Sequence, residues 1–186
     1  ANRFGFNVNW KFDDIVLYES NFELSSSAGD IAWAGIGQYK DLITPMHACM
    51  MAGAVANSGT MPTPKLLYSS VNENGQKTYS LSPEAYTQVM TSSVAGTIKE
   101  YMKNVVKSGT GTSAAVYGLD IGGKTGTAEF VDSETGEVKN HSWFVGFIDS
   151  EDKPYCLAVI FEGAGYGSKY AAPLAGKIFT YIANNY

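Results

Sequence analysis

The spacing of apolar positions changes character near Ile121: before it they recur mostly at helical intervals, and after it mostly with a period of two. The alternation predicts strands over residues 124–131 and 139–148, joined by a polar turn at 132–137. A second turn at 150–153 leads into a third strand over 154–161. That strand is almost entirely apolar from Cys156 onward and is therefore expected to be buried on both faces. Consecutive strands with short turns imply a three-stranded antiparallel meander. A last helix is expected from about Ser168, with Leu174, Ala175, Ile178, Phe179, Tyr181 and Ile182 on its core side.

Earlier in the chain the signals are mostly helical. The serine-rich stretch 20–30 reads as loop, and Trp33 to Gln38 as a glycine-bearing turn before a helix. Thr44 can cap that helix, Pro45 suits its first position, and Gly59 can close it, with Met46, Cys49, Met50, Gly53, Ala54 and Asn57 on one stripe. Met61-Pro62-Thr63-Pro64 cannot be helix interior, residues 65–70 read as extended, and Asn74-Gly75 is a turn. Ser82-Pro83-Glu84 repeats the pattern of cap, proline and acid and predicts a helix carrying Tyr86, Val89 and Met90, interrupted at Gly96. A further helical piece presents Ile98, Tyr101, Met102 and Val105 and ends at Ser108-Gly109-Thr110-Gly111, while residues 112–118 fit either a short helix or a loop. Helices before and after a meander make the class α+β, with the helices packed on the sheet.

Composition narrows the functions. With 186 residues the chain is long enough for one domain with a real core. Its 13 Lys and Arg against 18 Asp and Glu leave a net charge of -5, which does not suit a nucleic-acid partner. No apolar run reaches the roughly 20 residues that span a bilayer. Cys49 and Cys156 lie in apolar runs and read as small hydrophobes. His47 and His141 lack companion ligands at metal spacing and read as structural, so neither a metal nor a cofactor is expected.

Chemistry concentrates in Gly122-Gly123-Lys124-Thr125-Gly126-Thr127-Ala128-Glu129, where two small residues, read as turn-formers, deliver a lysine and two threonines onto an extended segment. Residues 118–125 satisfy the letters of a phosphate loop, G-x-x-x-x-G-K-[ST]. That mechanism needs a helix directly after the lysine, so that its N-terminus meets phosphate. Here β-branched and aromatic residues follow instead, which makes a nucleotide binder the remote alternative.

Lys124-Thr125-Gly126 also matches the K-T-G element of acyl-transfer enzymes that react with penicillin. Ile36-Gly37-Gln38, Thr44-Pro45-Met46, Ala56-Asn57-Ser58-Gly59, Pro64, Gly109-Thr110-Gly111, His141-Ser142-Trp143-Phe144-Val145-Gly146-Phe147 and Ala171-Ala172-Pro173 accompany it in order. Together they resemble the transpeptidase domain of penicillin-binding proteins over nearly the whole chain. The likeness is greatest to the class B, monofunctional D,D-transpeptidases of cell elongation or division, and it includes the opening Phe4-Gly5-Phe6.

The resemblance implies a penicillin-binding, serine β-lactamase-like fold and a serine acyl-enzyme that cross-links peptidoglycan. It implies that Lys124 supplies a positive charge beside the active-site serines. Thr125 and Thr127 would offer hydroxyls to the carboxylate of a D-Ala-D-Ala stem peptide or a β-lactam. Gly126 would let an extended substrate pair with the strand, and the Thr127 N–H would be half of the oxyanion hole. It further implies work at the extracytoplasmic face of the bacterial membrane, with the anchor outside these residues, and cell-wall synthesis partners.

Two family elements are not found where the family has them. Ser150-Glu151-Asp152-Lys153 carries the letters of S-x-x-K, but after K-T-G and in a turn. Ser70-Val71-Asn72 carries those of S-x-N beside the Asn74-Gly75 turn. Both are chance matches. The expectation is that residues 1–186 are the C-terminal part of one transpeptidase domain, lacking the nucleophilic serine, its lysine base and the N-terminal strands. Such a piece is expected to be inactive alone and to expose much apolar surface, or to bury it against the remainder of its domain. A non-catalytic peptidoglycan-binding or β-lactam-sensing module is the alternative.

Overall fold

A computed structural model describes residues 1–12 and 15–186. Two short strands, β1 (Lys11–Phe12) and β2 (Ile15–Val16), pair antiparallel and precede helix α1 (Ala28–Ala34). The serine-rich stretch read as loop therefore ends in a helix, because the Ser27 hydroxyl accepts the Asp30 N–H and starts a turn.

Helix α2 (Pro45–Ala56) begins as its sequence demands, with Pro45 first and the Thr44 hydroxyl accepting the His47 N–H. Its burial is wider than the single stripe expected. His47, Ala48, Met50, Ala52, Ala54 and Val55 are all buried, while Met46 and Asn57 are not. The helix is enclosed because it packs against sheet strands, against its neighbouring helix and beneath the N-terminal aromatic residues. Gly59, at φ 92°, closes the end, and a side chain there would strike the Met90 carbonyl.

Strands β3 (Thr60–Pro62) and β6 (Ala85–Gln88) pair with each other, and β4 (Ser69–Val71) with β5 (Lys77–Ser80) around the Asn74-Gly75 turn. Residues 85–88 are thus strand, not the helix their Ser-Pro-Glu start predicts. The Gln88 side chain explains the change, since it bonds Thr60 Oγ1 and the Met90 carbonyl and pins this segment to β3.

Helix α3 (Ser92–Ser108) starts at the Thr91 cap and runs through Gly96 without interruption. Its inner face is Ala95, Ile98, Met102 and Val106, whereas Tyr101 points to solvent. Salt bridges hold it to the sheet: Lys99 to Asp149 at 2.7 Å and Lys103 to Asp120 at 2.8 Å. Burial works against the Asp149 charge, but hydrogen bonds from Lys103 and Lys99 keep its carboxyl below the usual range. A short 3-10 turn at Thr112–Ala114 and a loop follow.

The meander is β7 (Ile121–Val131), β8 (Val138–Ile148) and β9 (Cys156–Phe161), in the order β7-β8-β9 and antiparallel throughout. Helix α4 (Ala171–Asn185) covers one face. It begins three residues later than expected; Ala175 and Phe179 are buried and Leu174, Ile178 and Ile182 pack against the core as predicted, while Tyr181 is exposed and Ala171, Ala172 and Gly176 are buried as well. On β9 only Leu157 and Val159 are buried, so the strand is not sealed on both faces as its composition suggested. It is an edge strand in the three-stranded sheet; Cys156, Ala158 and Ile160 are half-covered and Phe161 is exposed. The architecture is α+β, with one core between sheet and α4 and a second around α2.

Candidate active site

Two glycines place β7. A Cβ at Gly122 would lie 2.4 Å from the Phe147 ring, and one at Gly123 would lie 2.2 Å from the Phe144 ring. The two rings seal opposite faces of the sheet, in separate cores, and each needs a bare backbone opposite it. Gly122 and Gly123 are therefore strand interior, not the turn-formers their identity suggested. Lys124 follows in register opposite Val145, and β7 continues without a break to Val131.

Side chains alternate along this strand, which separates groups that are adjacent in sequence. Lys124 is exposed and stands at the rim of an open apolar cavity of about 420 Å³, lined among others by Met51, Val55, Met102, Trp143 and Val145. Its ammonium donates to the Thr125 carbonyl at 2.6 Å. Thr125 leaves the other face, is 8% exposed, and shares a 2.6 Å hydroxyl contact with Thr110, in the glycine-flanked turn after α3. Gly126 lies opposite Trp143, and a Cβ on Gly167 would strike its backbone, so the loop before α4 rests on β7 here. Thr127 is half-buried, and its carbonyl accepts the Gln38 side-chain amide at 3.1 Å.

What these residues share is the free edge of β7, which among the described residues pairs with β8 alone. The Thr127 carbonyl takes a partner from outside the sheet, Gln38, and the Thr125 carbonyl takes the Lys124 ammonium of its own strand. In an antiparallel ladder the N–H and C=O of one residue point the same way, so the Thr127 N–H also faces that edge.

The remaining candidates have structural partners. His141 stacks on Phe130 at 4.1 Å and accepts the Gly163 N–H through Nδ1. His47 is fully buried, donates from Nε2 to the Phe4 carbonyl at 2.7 Å, and leaves Nδ1 unpaired. Burial lowers its pKa, against that hydrogen bond. Burial also raises both thiols, Cys156 to about 12 with Cys49 adding to the shift, so neither is a thiolate nucleophile. Ser150 and Lys153 sit in a turn where the Ser150 hydroxyl accepts the Lys153 N–H, and Lys153 itself reaches the Ala183 carbonyl. Ser70 bonds Thr78 across the β4–β5 hairpin. Lys124 is embedded in a strand with no helix behind it, which removes the phosphate-loop reading.

Like Gln38, one buried polar residue was given no role at the site by the sequence reading. Ser142, opposite Thr127, is completely buried, donates to the Tyr166 carbonyl at 3.0 Å and accepts the Ala171 N–H at 3.1 Å. It fixes the loop before α4 against the sheet. Its signals were its place in the His141–Phe147 segment quoted for the resemblance and a small polar residue at an inward position of a strand.

A family model described as the penicillin-binding protein transpeptidase domain matches residues 1–180. The peptidoglycan D,D-transpeptidase MrdA of Haemophilus influenzae is 30% identical over 171 residues, 84% of this chain and 26% of that protein. The stage V sporulation protein D of Bacillus subtilis is 32% identical over 142 residues, 73% of this chain and 22% of that protein. Among solved structures, the D,D-transpeptidase domain of a peptidoglycan glycosyltransferase from Eggerthella lenta superposes with a TM-score of 0.81 at 30% identity, over 98% of this chain and 46% of that one. Penicillin-binding protein A of M. tuberculosis, solved as a ceftriaxone acyl-enzyme, shares the fold with a TM-score of 0.88 at 22% identity, over 97% of this chain and 41% of that one. The chain belongs to the penicillin-binding protein transpeptidase family. It spans about a quarter of the length of these two curated relatives.

Proposed function

We propose that this chain forms one wall of a serine D,D-transpeptidase site that cross-links peptidoglycan stem peptides and is acylated by β-lactams. The observation that carries the reading is the free edge of β7, with Lys124 at the rim of an apolar cavity and the Thr127 N–H directed outward. A stem peptide ending in D-Ala-D-Ala would lie extended along that edge, as an added strand. The Thr127 N–H would donate to the carbonyl oxygen under attack, and losing one such donor typically costs about 3 to 4 kcal/mol of transition-state stabilisation. Lys124 would hold positive charge beside the nucleophile. The Thr125 hydroxyl would reach a substrate carboxylate on release from Thr110, and Gly126 keeps the strand open to backbone pairing.

The nucleophilic serine and its lysine base are proposed to lie in a segment of the same domain outside residues 1–186, so that this chain is the C-terminal part of the domain. Two features support this. The apolar cavity beside Lys124 has the chemistry of a seat for another helix, and the family's solved domain is about twice as long as this chain. The complete protein is proposed to work outside the cytoplasm, where its substrate is; among the described residues no helix can cross a membrane. Fluorescent penicillin is the test. Residues 1–186 alone should acquire no covalent label, whereas the full-length protein should label and lose the label on prior boiling. A heat-sensitive adduct on residues 1–186 would refute the missing nucleophile, and an unlabelled full-length protein would refute the transpeptidase reading.

A further inference from the structure

The Thr127 carbonyl is already occupied, and by a side chain that comes from far away in sequence. Gln38 lies at the tip of the loop after α1, 89 residues before Thr127, and its amide N–H donates to the carbonyl at 3.1 Å. The position is the ladder site that an added strand would use, because this carbonyl faces the free edge of β7. A backbone amide of a bound peptide and the carboxamide of Gln38 are the same chemical group. A carbonyl oxygen can accept twice, so the conflict is one of space: the Gln38 side chain stands at the edge position along which an added strand would run.

The loop bearing Gln38 is built to present it. Gly37 at φ 74° and Tyr39 at φ 73° flank it, both left-handed, and such a conformation is unfavourable for a tyrosine. The Gln38 N–H itself bonds back to the Trp33 carbonyl at the end of α1. Beyond the tip the chain is pinned again, where Asn21 donates to the Lys40 carbonyl and pairs with Leu42. Backbone strain held between two anchored ends is a mark of a functional position. Helix α1 meanwhile leaves Ile31 and Trp33 exposed, and Ile36 in the loop itself is exposed too, so the loop is not locked by packing from behind.

We propose that Gln38 is a latch on the substrate edge of β7: its side-chain amide holds the Thr127 carbonyl until an amide-bearing substrate or β-lactam displaces it. The proposal rests on the transpeptidase reading above. It makes the empty site self-satisfied, and sets a threshold that a ligand passes only by donating its own N–H to Thr127.

The test uses the full-length protein and a fluorescent penicillin with an acylamino side chain, reading the second-order rate constant of labelling and the melting temperature. Gln38→Ala removes the latch, and Gln38→Met keeps a side chain of similar length without a donor. Both should label about two- to tenfold faster than wild type, the worth of one hydrogen bond, with melting unchanged. Lys124→Ala is run in parallel and should label more slowly than wild type. If labelling depends on Lys124 but both Gln38 variants are equal to wild type or slower, Gln38 is a brace and the latch is wrong. If the wild-type protein takes no label, the transpeptidase reading fails and the latch with it.

Discussion

The sheet and the N-terminal ninety residues bury apolar surface in different ways. In the sheet, β7 and β8 pair residue for residue over eleven positions, and Phe144 and Phe147 are fully enclosed, one on each face. In the N-terminal part the strands are two to four residues long, and Leu24, Ile36 and Leu42 remain about two-thirds exposed. Its core is gathered around one helix, α2, under Trp10 and Phe6, beside an open cavity of about 420 Å³. A long strand pair completes its own backbone pairing locally, with α4 covering one face and α2 the other. A region of short strands takes its order from whatever packs on it. The rigid half carries the chemical groups and the looser half carries the loop that touches them, at Gln38 and Thr127.

The sharpest way to break this contrast is to disturb the seat of a ring in the rigid half. Gly123→Val would place a Cβ where the Phe144 ring now lies, 2.2 Å away, and neither β-sheet backbone nor a fully buried ring can yield cheaply. The expected loss is about 3 kcal/mol, at the upper end for an overpacked core, read as a lower urea midpoint. An unchanged midpoint would mean that Phe144 is not held against β7 and that the sheet is no more rigid than the rest.

A smaller effect is expected in the looser half, and it depends on pH. His47 is buried among Phe6 and Trp10, with Nδ1 facing no partner, and burial holds its pKa below the ordinary 6.5. The unfolded chain then binds a proton that the folded chain refuses. The stability due to the neutral ring is whole above pH 6.5 and is lost as pH falls below it toward the lowered folded value. Melting followed from pH 8 to pH 5 should decline in the wild type, and the decline should shrink in His47→Gln. A pH-independent melt would show that His47 is solvated, and that the N-terminal core is looser still.

The same contrast decides what could be read from the letters. The meander was legible because alternation, short polar turns and strand length all agree, and α2 because Thr44 and Pro45 act through local chemistry. That Lys124 to Thr127 lie on a strand was legible for the same reason. Ala85–Gln88 was not: Ser82-Pro83-Glu84 is a sound helix start, but pairing with β3, where Thr60 lies 28 residues before its partner Gln88, overrides it. The face of Tyr101 and of Tyr181 was misjudged because an aromatic residue at core spacing can equally rest on the surface. Gln38 and Ser142 were invisible as partners of the site, since each acts by a hydrogen bond to backbone far off in sequence.

The smallest effect tests the element that links the two halves. Helix α3 runs unbroken from Ser92 to Ser108, with Gly96 in its first third and nothing within 4 Å of where a Cβ would stand. Glycine there carries backbone freedom in the unfolded chain without a turn or a close approach to justify it in the folded one. Gly96→Ala should therefore stabilise, by about 0.5 to 1 kcal/mol, read as a small rise in urea midpoint at unchanged slope. A loss instead would mean that the helix needs a break at Gly96 for the N-terminal half to sit where it does. The coupling between Gln38 and Thr127 would then depend on a hinge in α3 and not only on the loop that carries the glutamine.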